Sequence, residues 1–550
     1  MTVNMPVRET EAAAMPAAAK TPAILRLLPS LTDLVFLMPA ITVFLMGAGG
    51  SGMLEGDTGW HIRAGEWILA NGRVPTQDVF SFTKPGQPWF AWEWLWDVIF
   101  AWLHAHGGLT TVVLASLLVI SATFVLVFRM AVRRCGSPLI AFVATWLAMM
   151  SSSLHWLARP HLFTFLLTVI FYSILERASV GRTRLLWLLP PLTALWTNLH
   201  GGFLVGLVLI GAYALGELLR AALSPDAGDR RRSLLASRPY ILAGASCALA
   251  SLANPYGYQL HLHIYSYLTD GTQWNRITEF LAFNFRHPAG RYLEPLLVLA
   301  LLAVLAAFRR GRFEHAILIL FWAHAGLSSV RNIPIFAIVA APLAAEVLSQ
   351  GLKMMRWANL APWFSRMGDA VGGAIRDFDA MDRPWRLHLA GALAAALLIV
   401  VASAPSAPER LRARYDPKEY PVQAAAALSG LVASSLVFTD DEWGDYLIYR
   451  NYPTGKVFID GRSDFYGVEF GKTYDGIVEV SHDWEKSLNT YRVDVVLLRV
   501  KFALAGVLKE SARWRVVYDD GTAIAFRRAD SMSPAGEQVS GARIGGQRGR

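Results

Sequence analysis

The sequence predicts a polytopic α-helical membrane protein with a C-terminal α/β domain outside the bilayer, and three observations predict it. Hydrophobic residues make up 54% of the 550, and a mean hydropathy of +0.36 is too apolar for an ordinary soluble chain. Apolar runs near the length that crosses a hydrocarbon core of about 30 Å, about 20 helical residues, recur between residues 31 and 404. From about residue 405 the composition changes to alternating helix-like and strand-like segments.

Eleven runs read as spans: 31–49, 110–128, 138–153, 160–176, 185–199, 201–220, 239–253, 293–308, 313–329, 333–349 and 387–404. Every second gap is basic. Arg129, Arg133 and Arg134 follow the second span, and Arg177, Arg182 and Arg184 the fourth. Arg220, Arg230, Arg231, Arg232 and Arg238 fill the gap after the sixth; Arg309, Arg310 and Arg312 follow the eighth, and Lys353, Arg356 and Arg366 the tenth. This positive-inside pattern makes residues 1–30 a cytoplasmic tail and puts everything after 404 outside. No small-residue cleavage pattern follows the first run cleanly, so it reads as an uncleaved span rather than a signal peptide. The formal charge of +9 is carried by these gaps, so it implies no nucleic-acid partner.

The segment "AWEWLWDVIFAWLHAHGG", residues 91–108, is apolar but carries Glu93, Asp97, His104 and His106. Its roughly 16 helical residues reach only about 24 Å, short of the core, and its tryptophans suit the membrane interface. Residues 50–109 therefore form the first external loop, with interfacial helices over 57–70 and 91–106. Cys135 and Cys247 imply neither a zinc site nor a disulfide framework.

In the external domain, 405–530, "VQAAAALSG" reads as a helix and "SLVFTD", "KVFIDGR" and "VDVVLLRV" as strands. "WRVVYDDGTAIAFRR" reads as a hairpin turned at Asp520-Gly521. Residues 531–550 have the composition of a disordered tail.

Polar residues at membrane edges are costly, so their placement is informative. Asp57 and His61 follow the first span, and His155, Arg159 and His161 lie between the third and fourth. Asn198 and His200 sit in "LWTNLHGG", Asn254 and Tyr256 after the seventh span, and Arg331 and Asn332 between the ninth and tenth. By the arginine pattern all face outside. Each also has a plain structural role. Asp57 suits the N-cap of a helix beginning "TGWHIRAGEWIL", worth about 1 kcal/mol, and His61, one turn on, suits pairing with it. Asn198 and His200 suit helix ends around a Gly-Gly break, and Asn254 before Pro255 suits a turn. Collected on one side of a helical bundle, they favour an external active site or binding cleft.

One span, an external loop with an acid near the membrane, two interfacial helices, many spans and an external α/β domain together resemble the GT-C superfamily of membrane glycosyltransferases, which use polyprenyl-phosphate-linked sugars. "DTGWHIRAGEWILANGRVP" resembles the first-loop acid motif of oligosaccharyltransferase catalytic subunits and protein mannosyltransferases. "DEWGDYLIYRNYPTGKVFIDGRSDFYG", 441–467, resembles the tryptophan–aspartate signature and following strand of the oligosaccharyltransferase soluble domain. The resemblance implies that Asp57 is the catalytic acid residue, with His61 beside it. In metal-independent members it is the general base on the acceptor hydroxyl; in oligosaccharyltransferases it helps bind a divalent metal. The second external loop, "SSSLHWLARPH", lacks the acidic pair that would complete a metal site and offers Arg159 instead. Hard cations want several oxygen ligands, so a divalent metal stays an open question and no other cofactor is implied. Glu279 in "WNRITEFLAF" would add one carboxylate, or is equally an amphipathic-helix charge.

Arg159 and Arg331 lie where a lipid-linked phosphate would sit, and they suit either phosphate binding or snorkelling to the interface. His161, Asn198, His200 and Glu279 complete the expected substrate-binding set. "FIDGR" reads as a turn in which Asp460 and Arg462 pair locally, with acceptor contact as a further role for Trp443, Asp445, Asp460 and Arg462. The expectation is an inner-membrane glycosyltransferase that moves a sugar from a polyprenyl-phosphate donor, embedded among membrane lipids, to a periplasmic glycan, lipid or protein acceptor. A transporter or flippase would show paired halves with interrupted helices and charges near span centres. A non-enzymatic partner-binding protein would have no need of Asp57 beside arginines at a lipid edge.

Overall fold

The computed structural model describes residues 26–269, 277–354, 362–382 and 386–529. The expected disordered tail and most of the expected cytoplasmic tail lie outside the described residues. The first helix, α1 (Leu31–Ile41), is extended by a π-helical turn over Thr42–Met46 and starts at a capping box of Ser30 and Asp33. It is followed by α2 (Gly56–Asn71), α3 (Trp94–Cys135), α4 (Pro138–Ser152), α5 (His161–Ser179), α6 (Leu189–Leu199) and α7 (Leu204–Leu223). Next come α8 (Ala227–Ala250), α9 (Gln259–Thr269), α10 (Gly290–Arg309), α11 (Phe313–Ser328), α12 (Ile333–Met354), α13 (Pro362–Asp382) and α14 (Leu389–Ser403).

Each of the eleven apolar runs coincides with helix. Six helical stretches are long and apolar enough to cross a membrane: Trp94–Cys135, Pro138–His155, His161–Ser179, Gly201–Leu223, Gly290–Arg309 and Val330–Met354. Leu31–Met46, Phe313–Ser328 and Leu389–Ser403 are apolar but shorter. At the middle of the bundle α12 is buried without a break from Ile333 to Ala345. Its run of alanines lets α3, α4, α10 and α11 pack close around it.

Several boundaries differ from the sequence reading. The segment 91–108 is not separated from the next span: α3 runs through both and bends at Gly107 and Gly108, whose backbone is non-helical and whose second glycine has φ 64°. The run 185–199 is a 3-10 turn, Thr183–Leu188, followed by only eleven α-helical residues, because Pro190 and Pro191 fit only a helix start. Arg230, Arg231 and Arg232, expected in a loop, lie inside α8, which starts at Asp226 capping Asp229. Arginine is a good helix former, so a basic gap need not be a coil. The helix α13 was not expected; its Asp379 carboxylate accepts from Ser137 Oγ at 2.9 Å and Leu139 N at 3.2 Å.

The C-terminal part contains α15 (Val422–Ala427), α16 (Ser429–Ser434), β1 (Val437–Phe438), α17 (Asp441–Asn451), α18 (Ser463–Val478) and α19 (Trp484–Thr490). It ends with β2 (Val495–Arg499), α20 (Ala503–Glu510), β3 (Trp514–Asp519) and β4 (Ala523–Arg528). The sheet order is β1-β2-β4-β3. β1 is parallel to β2, with Val437 opposite Val495, and the β3–β4 hairpin is antiparallel and turned at Gly521, φ 85°. "KVFIDGR" is not a strand of this sheet, contrary to expectation. Its Val457 forms only isolated bridges, donating to Phe80 O and accepting from Phe82 N, both at 3.0 Å. Val457 lies between Ser81 of the first loop and Val437 of β1, bridging each in parallel.

That contact fixes the first loop to the C-terminal part. Thr83 Oγ1 donates to Phe458 O at 2.7 Å, and Arg63 Nε donates to Tyr449 O at 2.7 Å. α2 and α17 approach closely because glycines face the contact. A Cβ at Gly59 would fall 2.7 Å from Tyr449 Cβ, and one at Gly56 2.7 Å from Asp445 Oδ2.

Candidate active site

Asp57 is the second residue of α2, not its cap. The capping position belongs to Glu55, whose side chain makes no capping bond. The Asp57 carboxylate is turned to other partners: Oδ2 lies 2.6 Å from Arg159 Nη2, and Oδ1 accepts from Trp60 Nε1 at 3.1 Å. Arg159 is brought there by the backbone of its loop, since Ala158 N donates to Met53 O at 2.8 Å and Thr58 Oγ1 donates to Ala158 O at 3.2 Å.

The guanidinium of Arg159 joins three carboxylates from distant segments. Glu55 is at 2.8 Å, Asp57 at 2.6 Å and Glu279 at 3.5 Å. Glu279 stands on a 3-10 turn, Thr278–Phe280, tied to the Arg331 turn by Ser329 Oγ donating to Glu279 O (3.1 Å) and Val330 N donating to Leu281 O (3.1 Å). Arg331 lies 3.9 Å from Glu279 and 4.6 Å above the Phe280 ring. Arg159 and Arg331 therefore share one carboxylate, but only Arg159 is held by three.

Around this core lie Glu93 and His200. The N–H of Gly202 donates to His200 Nδ1 at 3.1 Å, which leaves the ring proton on Nε2, 3.6 Å from Glu93 Oε1. Burial pushes Glu93 and Glu55 up to about 7, and burial with Arg331 and Arg159 brings His200 down to about 3. For Glu279 burial pushes upward, but Arg159 and Arg331 outweigh it and hold the carboxyl at about 2. Asp57 is raised by burial, against the pull of Arg159. A carboxylate so placed is a stronger base than an exposed aspartate.

Of the expected residues, Asp57, Arg159, Glu279 and Arg331 form one connected charge cluster, and His200 lies beside it against Glu93. His61 reaches it only at Glu93, with Nε2 4.0 Å from Glu93 Oε2. The ring is buried, stacks on Trp60 at 3.7 Å between centroids, and places Nδ1 2.6 Å from Asp97 Oδ1. Although one turn on, it does not pair with Asp57; its bond to Asp97 on α3 sets the direction of the ring. His161 is buried against His155, with Nε2 2.9 Å from His155 O. Asn198 ties neighbouring segments together: Oδ1 accepts from Trp94 Nε1 at 2.7 Å, and Nδ2 donates to Ala253 O at 2.8 Å.

Trp443, Asp460 and Arg462 are also enclosed. Trp443 is 0% exposed and donates to Glu419 O. Arg462 makes a two-bond pair with Asp460 (2.7 Å each) and reaches Asp78 at 2.8 Å, beneath Trp89 and Phe465. The local pairing expected of "FIDGR" is present; an acceptor has no access to these three side chains. Sequence reasoning missed Glu55 and gave Glu93 no site role. The usable signal was an acid without a basic neighbour in an aromatic, membrane-edge segment.

The residues present do not fit a divalent metal. Among the described residues no group of three or more His, Cys, Asp or Glu is arranged to hold one. The place where carboxylates converge is filled by the Arg159 guanidinium.

No protein-family model and no curated protein sequence matches the chain. Solved structures do. The crystal structure of the Archaeoglobus fulgidus oligosaccharyltransferase in the apo form superposes with a TM-score of 0.51 at 10% identity, over 86% of this chain and 69% of that one. The Archaeoglobus fulgidus oligosaccharyltransferase AglB, in complex with an inhibitory peptide and a dolichol-phosphate, gives 0.51 at 11% identity, over 92% and 74%. The chain has the GT-C fold. Within this GT-C fold the Asp57 cluster lies where the first loop, the helical bundle and the C-terminal part meet.

Proposed function

We propose that the protein is a membrane glycosyltransferase that moves a sugar from a polyprenyl-phosphate donor to an acceptor on the external, periplasmic side of the inner membrane. The observation that carries this reading is a half-buried carboxylate, Asp57, set beside Arg159 and a second arginine, Arg331, at the edge of an apolar helical bundle. The fold supports it, and so does the dolichol-phosphate bound by the AglB structure. In the reaction, Asp57 takes the hydroxyl proton of a glycan, lipid or protein acceptor as that oxygen bonds to the anomeric carbon. The bond from that carbon to the phosphate oxygen breaks, and its electron pair leaves with the polyprenyl phosphate. General-base assistance is worth about 10²–10⁴-fold, and the arginines stabilise the departing phosphate. Arg331 is the stronger candidate for phosphate contact, because Arg159 already holds three carboxylates.

The test is release of polyprenyl phosphate from labelled polyprenyl-phosphate sugars by the purified protein in lipid nanodiscs. No release across a panel of such donors would refute the reading. In the same preparation, Arg331→Ala is expected to weaken donor binding by about 10- to 100-fold, the loss of one charge-assisted bond. Arg331→Lys should recover only part of it, because lysine lacks the planar fork. Equal donor affinity in all three proteins would reduce Arg331 to its contacts with Glu279 and Phe280.

The external placement has its own check. Gln87 is exposed in the first loop, whereas Cys135 and Cys247 are buried. A Gln87→Cys protein in intact cells should react with a membrane-impermeant thiol reagent. Reaction only after the cells are opened would put Asp57 in the cytoplasm and overturn the proposed topology.

A further inference from the structure

A second carboxylate stands against Asp57, and it comes from the other end of the chain. Asp445 lies on α17, 2% exposed, with Oδ1 accepting from Gly461 N at 2.8 Å. Gly461 forms a narrow partition between the two acids: a Cβ there would lie 2.3 Å from Asp57 Oδ1 and 2.7 Å from Asp445 Oδ2. Gly56 closes the same gap from α2, its Cβ position being 2.7 Å from Asp445 Oδ2. Glycine at both positions is what allows the carboxylates to approach.

Two carboxylates crowded against one glycine, Asp445 buried and Asp57 half-buried, do not both ionise readily; such a pair titrates in two steps that belong to the pair. Their surroundings differ. Asp57 has the Arg159 guanidinium at 2.6 Å and the Trp60 N–H. Asp445 has one backbone N–H, and the charges acting most strongly on it are the acids Asp57, Asp460 and Asp441. Other titratable groups facing the pair are Glu55 at the start of α2, Glu93 at the start of α3, Glu279 beyond Arg159, Glu442 on α17 and the hydroxyls of Tyr415 and Tyr420. Arg462 is committed to Asp460 and Asp78.

We propose that Asp57 and Asp445 form an acid pair that holds a single proton, carried by Asp445, so that the charge rests on Asp57. Asp445 is then a positioning residue. It donates toward Asp57, favours the ionised base, and makes the C-terminal part a contributor to the chemistry of the first loop. No substrate contact is assigned to it. Burial, followed by the charges of Asp57 and Asp460, holds the Asp445 carboxyl well above the usual range, in keeping with this assignment.

The proposal rests on the reading of Asp57 as the base for its kinetic consequence, but its central claim has a test of its own. Infrared difference spectra of the full-length protein in nanodiscs at neutral pH compare wild type with Asp445→Asn. A protonated-carboxyl C=O band is expected to be lost in Asp445→Asn and kept in Asp57→Asn. If Asp445→Asn loses no such band, the pair does not hold its proton on Asp445 and the proposal is overturned, whatever the activity assays show. The second arm is the acid limb of the transfer rate. Asp445→Asn, whose amide still donates, should leave the limb in place. Asp445→Leu removes the donor and should move it to higher pH by about one unit. Coincident limbs for the Asn and Leu variants overturn the donation from Asp445. Should Asp57→Asn remain active, the base reading fails, while the infrared result still decides the pair. Should Asp445→Leu not fold, the infrared comparison with the Asn variant decides alone.

Discussion

Asp57→Asn is expected to lower sugar transfer by at least about 100-fold while leaving the protein folded. The side chain keeps its shape and still offers an oxygen to Trp60 Nε1. It also disturbs no helix cap, since Glu55 holds that position. The loss is confined to one negative charge beside Arg159, which retains Glu55 and Glu279. Weaker interaction with the helix start costs about 0.3–1 kcal/mol at most. An amide cannot take the acceptor proton at neutral pH, so turnover should collapse although melting temperature hardly moves. The two quantities are measured on the same preparation in nanodiscs. A folded Asp57→Asn protein with near wild-type turnover would leave the mechanism without its base. In wild type, Asp57 must be ionised to act and burial raises its pKa. Activity should therefore fall on acidification, beginning at a higher pH than for an exposed aspartate.

Arg159→Met should produce the largest loss of stability at the site. It leaves Glu55, Asp57 and Glu279 converging on a position with no guanidinium. Breaking a buried ion pair costs about 3–5 kcal/mol, and the 23% exposure of the Arg159 side chain favours the lower end, about 3 kcal/mol. The sign of the pH effect follows. Glu279 is held down to about 2 mainly by Arg159 and Arg331 against burial, so in wild type it stabilises the fold above its unfolded pKa and loses that contribution only as pH falls through about 2. Without Arg159 these carboxylates are raised, and ionising them opposes folding. The deficit in melting temperature should be large near pH 8 and shrink as the pH is lowered through the carboxylate range. Arg159→Lys keeps the charge and should lose less. An Arg159→Met protein as stable as wild type at pH 8 would mean that the three carboxylates are already neutral.

The helical part of the fold was legible because apolar runs and arginine gaps are local signals. Ser30, Asp226, Pro190 and Pro191 set helix starts by local chemistry as well. The strand reading of "KVFIDGR" failed because only Val457 pairs, by isolated bridges to Ser81 of the first loop and Val437 of β1, and such contacts leave no local pattern. In the site, Asp57 and Arg159 stood out as charges at membrane edges, but the direction of each side chain did not. His61 follows Asp57 by one turn and yet pairs with Asp97 across α3. Trp443 and Arg462 sit in a motif that resembles an acceptor signature, yet they are buried by packing that no local pattern shows. The Asp57–Asp445 approach depends on Gly56 and Gly461, whose importance appears only once two distant segments are placed together.

The seam between α2 and α17 sets a clock on the protein's manufacture. Arg63 and its partner Tyr449 are 386 residues apart in the chain. At a synthesis rate of about 5–20 residues per second, the ribosome delivers the first loop tens of seconds before the helix that closes it. Throughout that interval the glycine face of α2 stands without its counterpart, and Asp57 stands without Asp445. On the proposed mechanism, a nascent chain that has inserted every span is still inert until α17 folds back onto α2.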